Sequence, residues 1–392
     1  MKKKLLSVLL SVALISTTLV GCGSSDSGSG TATTETPAVT EGTTTEDTTE
    51  ETTSPGTASE ASENGYEIAL VTDLGTVDDK SFNQGAWEGV AQYGNESGVS
   101  YKYYQPQEAA TAAYLETMAL AIEGGAKIIV CPGFLFEEPV YLAQEQYPDI
   151  NFILLDGEPH SADYSDFHTA DNTMAILFKE DQSGYLAGYA AVKEGYTNLG
   201  FMGGMAVPAV IRFGYGFVQG AEAAAVEMGV DISMMYHYTG EFVATPEAQA
   251  MAASWYQSGT EVIFACGGAV GNSVMAAAEA EDKKVIGVDV DQSIESDTVI
   301  LSALKMLSVS IYDGVKAHFE GNFPGGTTSV FTAENNGVGL PMDTTQLEVF
   351  TVEDYDVLYA KLATNEIALV DSIEDGSTAD LTVANTTIKF VD

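Results

Sequence analysis

The sequence predicts an α/β protein with two doubly wound lobes and a ligand cleft at the hinge between them. From Tyr66 onward, short apolar runs alternate with helical patterns, which is typical of parallel strands covered on both faces. These runs end in Asp or Gly, at the edge where open parallel sheets bind ligands. Residues 66–392 exceed the usual size of a single core, so two lobes accommodate the strands best.

The composition excludes one class of function at once. The chain has 392 residues, of which 45% are hydrophobic, enough to bury a core in each lobe. Its 57 acidic and 15 basic residues give a formal net charge of −42. Such a charge repels nucleic acid phosphates and provides no basic surface for them, so nucleic-acid binding is excluded.

The N-terminus has the layout of a secretory signal peptide over residues 1–21. Three lysines precede an apolar segment that reaches about Leu19 and is short for a membrane span. The following "LVGC" resembles a bacterial lipobox, which implies that Cys22 is lipidated and becomes the mature N-terminus. The alternative is an ordinary cleaved signal with a chance cysteine. We expect an extracytoplasmic lipoprotein anchored to the cell membrane.

Residues 22–65 have the composition of a tether. They are rich in Ser, Thr and Glu and contain no Lys or Arg. A segment of this kind cannot bury a core, so we expect it to be disordered and to hold the folded part away from the membrane.

The folded part divides into predicted strands, helices and lobes. The predicted strands are "YEIALVTD", "KIIVCPG", "INFILLD", "NLGFMGG", "VIFACGG" and "KVIGVDVD". Between them, segments such as "TAAYLETMALAIEGGA" repeat apolar residues at helical spacing. We assign residues 66–172 and about 293–325 to the first lobe. The second lobe takes about 173–292 and about 326–392.

Cysteine and histidine give no sign of a metal or cofactor site. Cys131 and Cys266 lie in apolar runs, which indicates buried free thiols and leaves a disulfide between them open. The histidines lack metal-ligand spacing. They are His160, His168, His237 and His318. We expect neither a metal nor a cofactor.

The stretch "ALVTDLGTVDDKSFNQGAWEGV", residues 69–90, concentrates polar groups after the first strand. Ser81 followed by Gln84 matches a capping box, so Phe82 and Asn83 should begin a helix beside Asp73. The neighbouring Asp78 and Asp79 fit loop and helix-start positions, where acids favour the positive end of the helix dipole.

Asp73, Asp156 and Asp289 each follow an apolar run. A single aspartate at such a position often only stops a strand or caps a helix. Three in the same structural role favour a ligand site at the cleft.

The order of motifs resembles one family. "VTDLGTVDDKSFNQGAWEG" is similar to the opening motif of the basic membrane protein family, the substrate-binding lipoproteins of ABC transporters that include purine nucleoside receptors. Further segments agree in order: "GFLF", "FILLDG", "EDQSGYLAGYAA", "GFMGGMAVPAVIRFGYGFVQG", "ACGGAVG" and "VIGVDVDQ". The resemblance implies a type I periplasmic-binding-protein fold.

The same resemblance implies how a base would be held. Asp73 and Asn83 would hydrogen-bond the polar edge of a purine, and Phe82 would stack on one face. Phe213 would stack on the other face, with Tyr215 or Phe217 as alternatives. Such stacking contributes on the order of 1–3 kcal/mol per base in single-strand binders.

For the sugar, the resemblance implies that Asp289 accepts hydrogen bonds from the vicinal ribose hydroxyls. Asp156 and the backbone near Gly268 would complete the sugar shell, and Lys305 would supply a cationic donor.

The expected function is capture of nucleosides, above all purine nucleosides, by cleft closure and delivery to an ABC permease with separate ATPase subunits. We expect a monomer without enzymatic activity. One alternative is a receptor for a sugar, a free base or a signalling molecule presented to a membrane sensor. A remote one is an acyl-enzyme, because Ser302 and Lys305 form an S-x-x-K motif, although the partner motifs S-D-N and K-T-G are absent.

Overall fold

The computed structural model describes residues 57–370 and 377–391. The predicted signal peptide, Cys22 and the tether up to residue 56 lie outside the described residues. Within the described ranges, no helix combines the length and the apolar character needed to cross a membrane.

Most of the described strands alternate with helices, as predicted. The strands are β1 (Ile68–Val71), β2 (Tyr101–Tyr104), β3 (Ile128–Pro132), β4 (Asn151–Leu155), β5 (Thr173–Phe178), β6 (Asn198–Gly203), β7 (Ile232–Tyr238), β8 (Val262–Cys266), β9 (Lys284–Asp289), β10 (Val299–Lys305), β11 (Thr327–Phe331), β12 (Val338–Gly339) and β13 (Thr386–Phe390). The helices are α1 (Phe82–Ser97), α2 (Thr111–Glu123), α3 (Glu137–Gln146), α4 (Glu180–Lys193), α5 (Pro208–Met228), α6 (Pro246–Gln257), α7 (Val270–Glu281), α8 (Leu307–Phe319) and α9 (Val352–Ala363).

The strands form two sheets, one in each lobe. In the described residues the first sheet has the order β11-β5-β4-β3-β1-β2, and all its strands are parallel. The second has the order β12-β10-β9-β8-β6-β7-β13, in which only the short β12 is antiparallel to its neighbour. Helices α1, α2, α3 and α8 pack on the first sheet, and α4 to α7 belong to the second lobe. The predicted doubly wound α/β architecture is confirmed.

The predicted lobe boundaries are wrong by one strand in three places. The chain passes between the lobes after β5, after β10 and after β11, rather than near residues 172, 293 and 326. The physical reason is that β5 follows β4, and β10 follows β9, as a parallel neighbour joined by a loop without a helix, so the alternating pattern fails at both places. Strands β5 and β11 pair with each other in the first sheet.

The predicted tether also extends too far. Residues 57–65 are described, and the Ser59 backbone N–H donates to the carbonyl of Tyr101 at 3.1 Å, on the edge strand β2. The Tyr66 N–H donates to the carbonyl of Gly124 at 2.9 Å. Backbone pairing to the edge of the sheet therefore begins several residues before the first strand.

Helices α4 and α5 pack through glycines that lie against the backbone of the opposite helix. A Cβ on Gly188 would lie 2.1 Å from the carbonyl oxygen of Phe217, and one on Gly220 would lie 2.0 Å from that of Tyr185. No side chain could shift to relieve such a contact, because both neighbours are backbone atoms. The close approach fixes the position of α5 against α4, and these two helices carry residues of the site described below.

Replacing Gly188 with Ala should therefore lower the free energy of unfolding by about 1–3 kcal/mol, the usual cost of overpacking. The matched control is Gly271→Ala in α7, where the nearest atom, Met275 Cε, is 3.8 Å away. That change should be neutral or stabilising by up to about 1 kcal/mol, because Ala favours helix over Gly. Urea unfolding of both variants measures the difference, and equal effects would contradict the packing account.

Candidate functional site

A cavity of ≈ 720 Å³, including space at its mouth that is open to solvent, lies between the two lobes. Every residue predicted from the sequence to bind the ligand lines it: Asp73, Phe82, Asn83, Asp156, Phe213, Gly268, Asp289 and Lys305. The fold thus brings together residues that are up to 232 positions apart in the sequence.

The start of α1 is capped by Asp79, so the predicted capping box of Ser81 and Gln84 is wrong. Asp79 Oδ1 accepts from the backbone N–H groups of Ser81 at 2.9 Å and Gln84 at 3.1 Å, and Oδ2 accepts from that of Asn83 at 3.0 Å. The Gln84 side chain bonds to Glu88 instead. One buried carboxylate satisfies three backbone donors of this turn, which leaves the Ser81 hydroxyl free for another partner.

That partner lies in the other lobe. Ser81 Oγ donates to Asp289 Oδ2 at 2.5 Å. Next to it, Gln292 Nε2 donates to the carbonyl of Lys80 at 2.7 Å, and the Lys80 ammonium forms an ion pair with Glu295. These contacts tie the loop before α1 to the segment after β9 across the cavity.

The amide of Asn83 has a fixed orientation. Its Nδ2 donates to Asp73 Oδ1 at 2.9 Å and to Asp79 Oδ2 at 3.1 Å. An ionised carboxylate only accepts hydrogen bonds, so the NH₂ group must face both aspartates. The buried Asn83 Oδ1 has no hydrogen-bond partner among the described residues.

Burial raises the pKa of both aspartates that hold this amide. For Asp79 burial outweighs the N–H donors around it and brings the pKa to about 6. For Asp73 burial outweighs hydrogen bonds from the Gly75 N–H, at 2.6 Å, and from Asn83. Burial therefore disfavours the ionised form of Asp73 and Asp79, and the hydrogen bonds from the surrounding N–H groups offset this effect in part.

Asp156 and Asp289 follow or end strands with an unusual backbone. Their φ angles are 57° and 68°, in the left-handed region, and their side chains are buried. Aspartate tolerates this region better than most residues, and such strained positions cluster at functional sites. The turn carries each side chain into the space between the lobes.

The ammonium of Lys305 joins carboxylates from both lobes. It donates to Asp156 Oδ2 and lies 3.4 Å from Glu180 Oε1 and 3.9 Å from Asp289 Oδ1. Burial alone would lower its pKa, but the three carboxylates raise it above the ordinary value for lysine. The predicted role was a cationic donor to the ligand, whereas in the structure the ammonium already serves these three carboxylates.

A second cation, Arg212, supports this cluster from α5. Its Nε donates to Glu180 Oε2 at 2.5 Å. Burial would raise the pKa of Glu180, but Arg212 and Lys305 together hold it below its usual value. Burial raises the pKa of Asp156 although Lys305 opposes it, and Asp156 Oδ1 has no hydrogen-bond partner in the described residues.

Aromatic rings surround the same ammonium. Lys305 Nζ lies 4.7, 5.2 and 5.6 Å from the ring centroids of Phe82, Phe178 and Phe213. Phe82 and Phe213 therefore flank a common volume from different lobes. The predicted alternatives do not line the cavity, because Tyr215 bonds to the carbonyl of Ser377 and Phe217 packs against Phe264 in the core.

Several residues that line the cavity were missed in the sequence. Besides Asp79, the main ones are Phe134, Leu135 and Phe242. Phe134 and Leu135 lie in a short 3-10 turn after β3, and Phe242 lies in the loop after β7. The rule that ligands bind at the carboxyl ends of parallel strands could have indicated these loops, but loop composition gives no signal of its own.

The remaining predictions concern thiols, metals and catalysis. Cys131 and Cys266 are confirmed as buried free thiols, and Cys266 lines the cavity. The described residues contain no group of three or more His, Cys, Asp or Glu that could hold a metal ion. Ser302 Oγ accepts from the Gln292 N–H at 3.1 Å, whereas Lys305 bonds to Asp156. Residues three apart on a strand face opposite sides of the sheet, so the S-x-x-K motif does not place these side chains together.

Two doubly wound lobes, three connections between them and a cavity at the carboxyl ends of both sheets define a solute-binding protein with the type I periplasmic fold. Residues 67–373 match the family described as ABC transporter substrate-binding protein PnrA-like. The chain belongs to this family, and the resemblance seen in its motifs is confirmed. Proteins of this class act outside the cytoplasm.

Individual proteins that are similar to this chain have the same kind of description. The chain is 33% identical over 306 residues to the ABC transporter nucleoside-binding protein BmpA of Lactococcus lactis subsp. cremoris, covering 72% of this chain and 83% of the relative. It is 28% identical to basic membrane protein D of Borreliella burgdorferi, covering 70% and 79%. A solute-binding protein of an ABC transporter system from Aeropyrum pernix K1 has the same fold, with a TM-score of 0.70 at 24% identity, covering 79% and 94%.

Replacing Lys305 with Met should destabilise the protein by about 3–5 kcal/mol, because removing one partner of a buried ion pair leaves uncompensated charge. The control is Lys316→Met, whose exposed ammonium lies 4.0 Å from Glu320 one helical turn away. That pair contributes at most about 0.5 kcal/mol. Denaturant unfolding compares the two variants, and a loss below about 1 kcal/mol for Lys305→Met would contradict the role of this ammonium as the centre of the cluster.

Proposed function

We propose that this protein captures purine nucleosides outside the cytoplasm and passes them to an ABC permease. The observation that carries the proposal is that two phenyl rings, Phe82 and Phe213, line one cavity together with residues whose acceptors have no partner in the described ranges. Flat apolar faces bind a base by stacking, and acceptors beside them bind its N–H groups.

The base end of the cavity is formed by the first turn of α1. Phe82 offers its ring, and the neighbouring Asn83 offers a buried amide oxygen without a partner in the described residues. An unsatisfied buried acceptor costs about 1–3 kcal/mol, so a ligand N–H at this position contributes binding free energy by removing that cost.

The sugar end is formed by Asp156 and Asp289. Asp156 Oδ1 is also buried without a hydrogen-bond partner among the described residues. Carboxylates in such positions accept hydrogen bonds from the vicinal hydroxyls of a ribose. Since Asp289 belongs to the second lobe and Asp156 to the first, a nucleoside that bonds to both would hold the lobes closed.

The name of the Lactococcus lactis relative supports a nucleoside as the ligand. The alternative ligands are a sugar, a free base or a signalling molecule. A site for a sugar alone would need more groups that bind hydroxyls, and a sugar has no base that could bind the polar groups beside Phe82. Binding without catalysis is favoured because Ser302 and Lys305 bond to separate partners.

The proposal includes a lipid anchor at Cys22 and a tether after it, since the lipobox resemblance and the Ser/Thr/Glu-rich composition both favour them. The permease and the ATPase would be separate chains. We propose that the binding protein acts as a monomer.

Calorimetric titration of ligand-stripped protein with adenosine, guanosine, inosine, uridine and ribose tests the proposal. Purine nucleosides should bind more tightly than uridine, because a purine offers the larger face for stacking. Ribose should bind weakly or not at all, because it lacks the base. Failure of all five to bind would refute the nucleoside function, and preference for ribose would favour the sugar-receptor alternative.

Replacing Phe82 with Leu should weaken the binding of purine nucleosides by about 1–3 kcal/mol, because Leu keeps apolar volume but removes the flat face. The matched control is Phe319→Leu in α8, whose ring stacks on Tyr93 and does not line the cavity. This control should leave the Kd unchanged. Equal Kd values for wild type and Phe82→Leu would show that the ring does not stack on the ligand.

A further inference from the structure

Asp73, Asp79 and Asn83 form a small network at the base end of the cavity. Both donor hydrogens of the Asn83 amide are used, one by each aspartate. Asp79 is buried, and its two oxygens accept four N–H groups in total: the backbone N–H groups of Ser81, Asn83 and Gln84, and the Asn83 side chain. Within the described residues, the side chains of this network therefore have no unused hydrogen-bond donor.

The atoms of this network that have no partner in the described residues are both hydrogen-bond acceptors. Asn83 Oδ1 is buried without a partner, and Asp73 Oδ2 accepts no hydrogen bond from the described residues, since both bonds to this carboxylate go to Oδ1. An acceptor facing a ligand acceptor costs free energy, whereas an acceptor facing an N–H gains a hydrogen bond. The orientation of Asn83 thus determines which pattern on a base fits.

Purines differ in this pattern. A 6-oxopurine carries a donor at N1–H, and guanine adds a neighbouring donor in its 2-amino group. Adenine carries an acceptor at N1, next to its 6-amino donor. Two neighbouring acceptors on the protein can accept from both N1–H and the 2-amino group of guanine, and from N1–H alone in hypoxanthine. With adenine, one acceptor faces the N1 acceptor, and this contact is repulsive.

We propose that the site selects 6-oxopurine nucleosides over adenosine, and that Asp79 is the positioning residue that sets this preference by holding the Asn83 amide with its oxygen free. This inference rests on the proposed function and names the preferred class of nucleoside. Asp79 acts through Asn83, because both of its oxygens are already occupied by N–H groups of the α1 turn.

The wild-type test is a calorimetric comparison of guanosine, inosine, adenosine and 1-methylinosine. Guanosine should bind at least as tightly as inosine, and inosine about tenfold more tightly than adenosine, as expected for one hydrogen bond. Methylation at N1 removes the donor, so 1-methylinosine should lose most of the advantage of inosine. Adenosine binding as tightly as inosine would overturn the inference but leave the nucleoside function standing, whereas absence of binding by every nucleoside would refute both.

The role of Asp79 is tested by Asp79→Asn, with Asp78→Asn as the matched control. Asp78 is the exposed neighbour, and its replacement removes the same charge one residue away. In Asp79→Asn the ratio of adenosine Kd to inosine Kd should fall about fivefold or more, on the order of one hydrogen bond. In Asp78→Asn the ratio should equal that of wild type.

A purely structural role would weaken adenosine and inosine equally and leave the ratio unchanged, and that result would refute positioning by Asp79. If Asp79→Asn does not fold, the variant Asp79→Glu provides the same ratio with the carboxylate kept but displaced. An unchanged ratio there would likewise count against the positioning role.

Discussion

The buried ammonium of Lys305 is the interaction on which the rest of the structure depends. Lys305 ends β10, where the chain passes between the lobes, and it contacts Asp156 of the first lobe and Asp289 of the second. Taking an ammonium out of water is costly unless carboxylates and hydrogen bonds surround it. Separation of the lobes at this edge would remove one of these partners, so the charge cluster favours the arrangement in which both lobes contact Lys305.

The same logic explains the crowded loop before α1. Asp79 satisfies the donors of the helix start, which releases Ser81 to bond across the cavity to Asp289. Asn83 is held by two aspartates, and its oxygen has no partner in the part of the chain that the structure describes. A short segment thus performs three tasks: it caps a helix, it joins the lobes, and it contributes to the cavity lining a residue whose buried amide oxygen has no partner in the described residues.

Much of this site could be predicted from the sequence. Apolar runs that stop at Asp or Gly indicate where strands end, and the carboxyl ends of parallel strands lie at one edge of a sheet. Asp156 and Asp289 were predicted to lie at the cleft because each follows an apolar run that was predicted to be a strand. The hydrogen-bond partners could not be predicted. The sequence pattern places Ser81 at the cap of α1, but the backbone N–H groups there bond to the buried carboxylate of Asp79 instead. The predicted lobe boundaries are wrong because β5 follows β4, and β10 follows β9, without the helix that a parallel crossover usually contains.

A crystal structure of the protein with guanosine bound tests the central claim most directly. The account predicts the base between the rings of Phe82 and Phe213, its N1–H group at hydrogen-bond distance from Asp73 or Asn83 Oδ1, and the ribose hydroxyls on Asp156 or Asp289. Guanosine bound outside this cavity, or bound inside it with the base turned away from α1, would contradict the account.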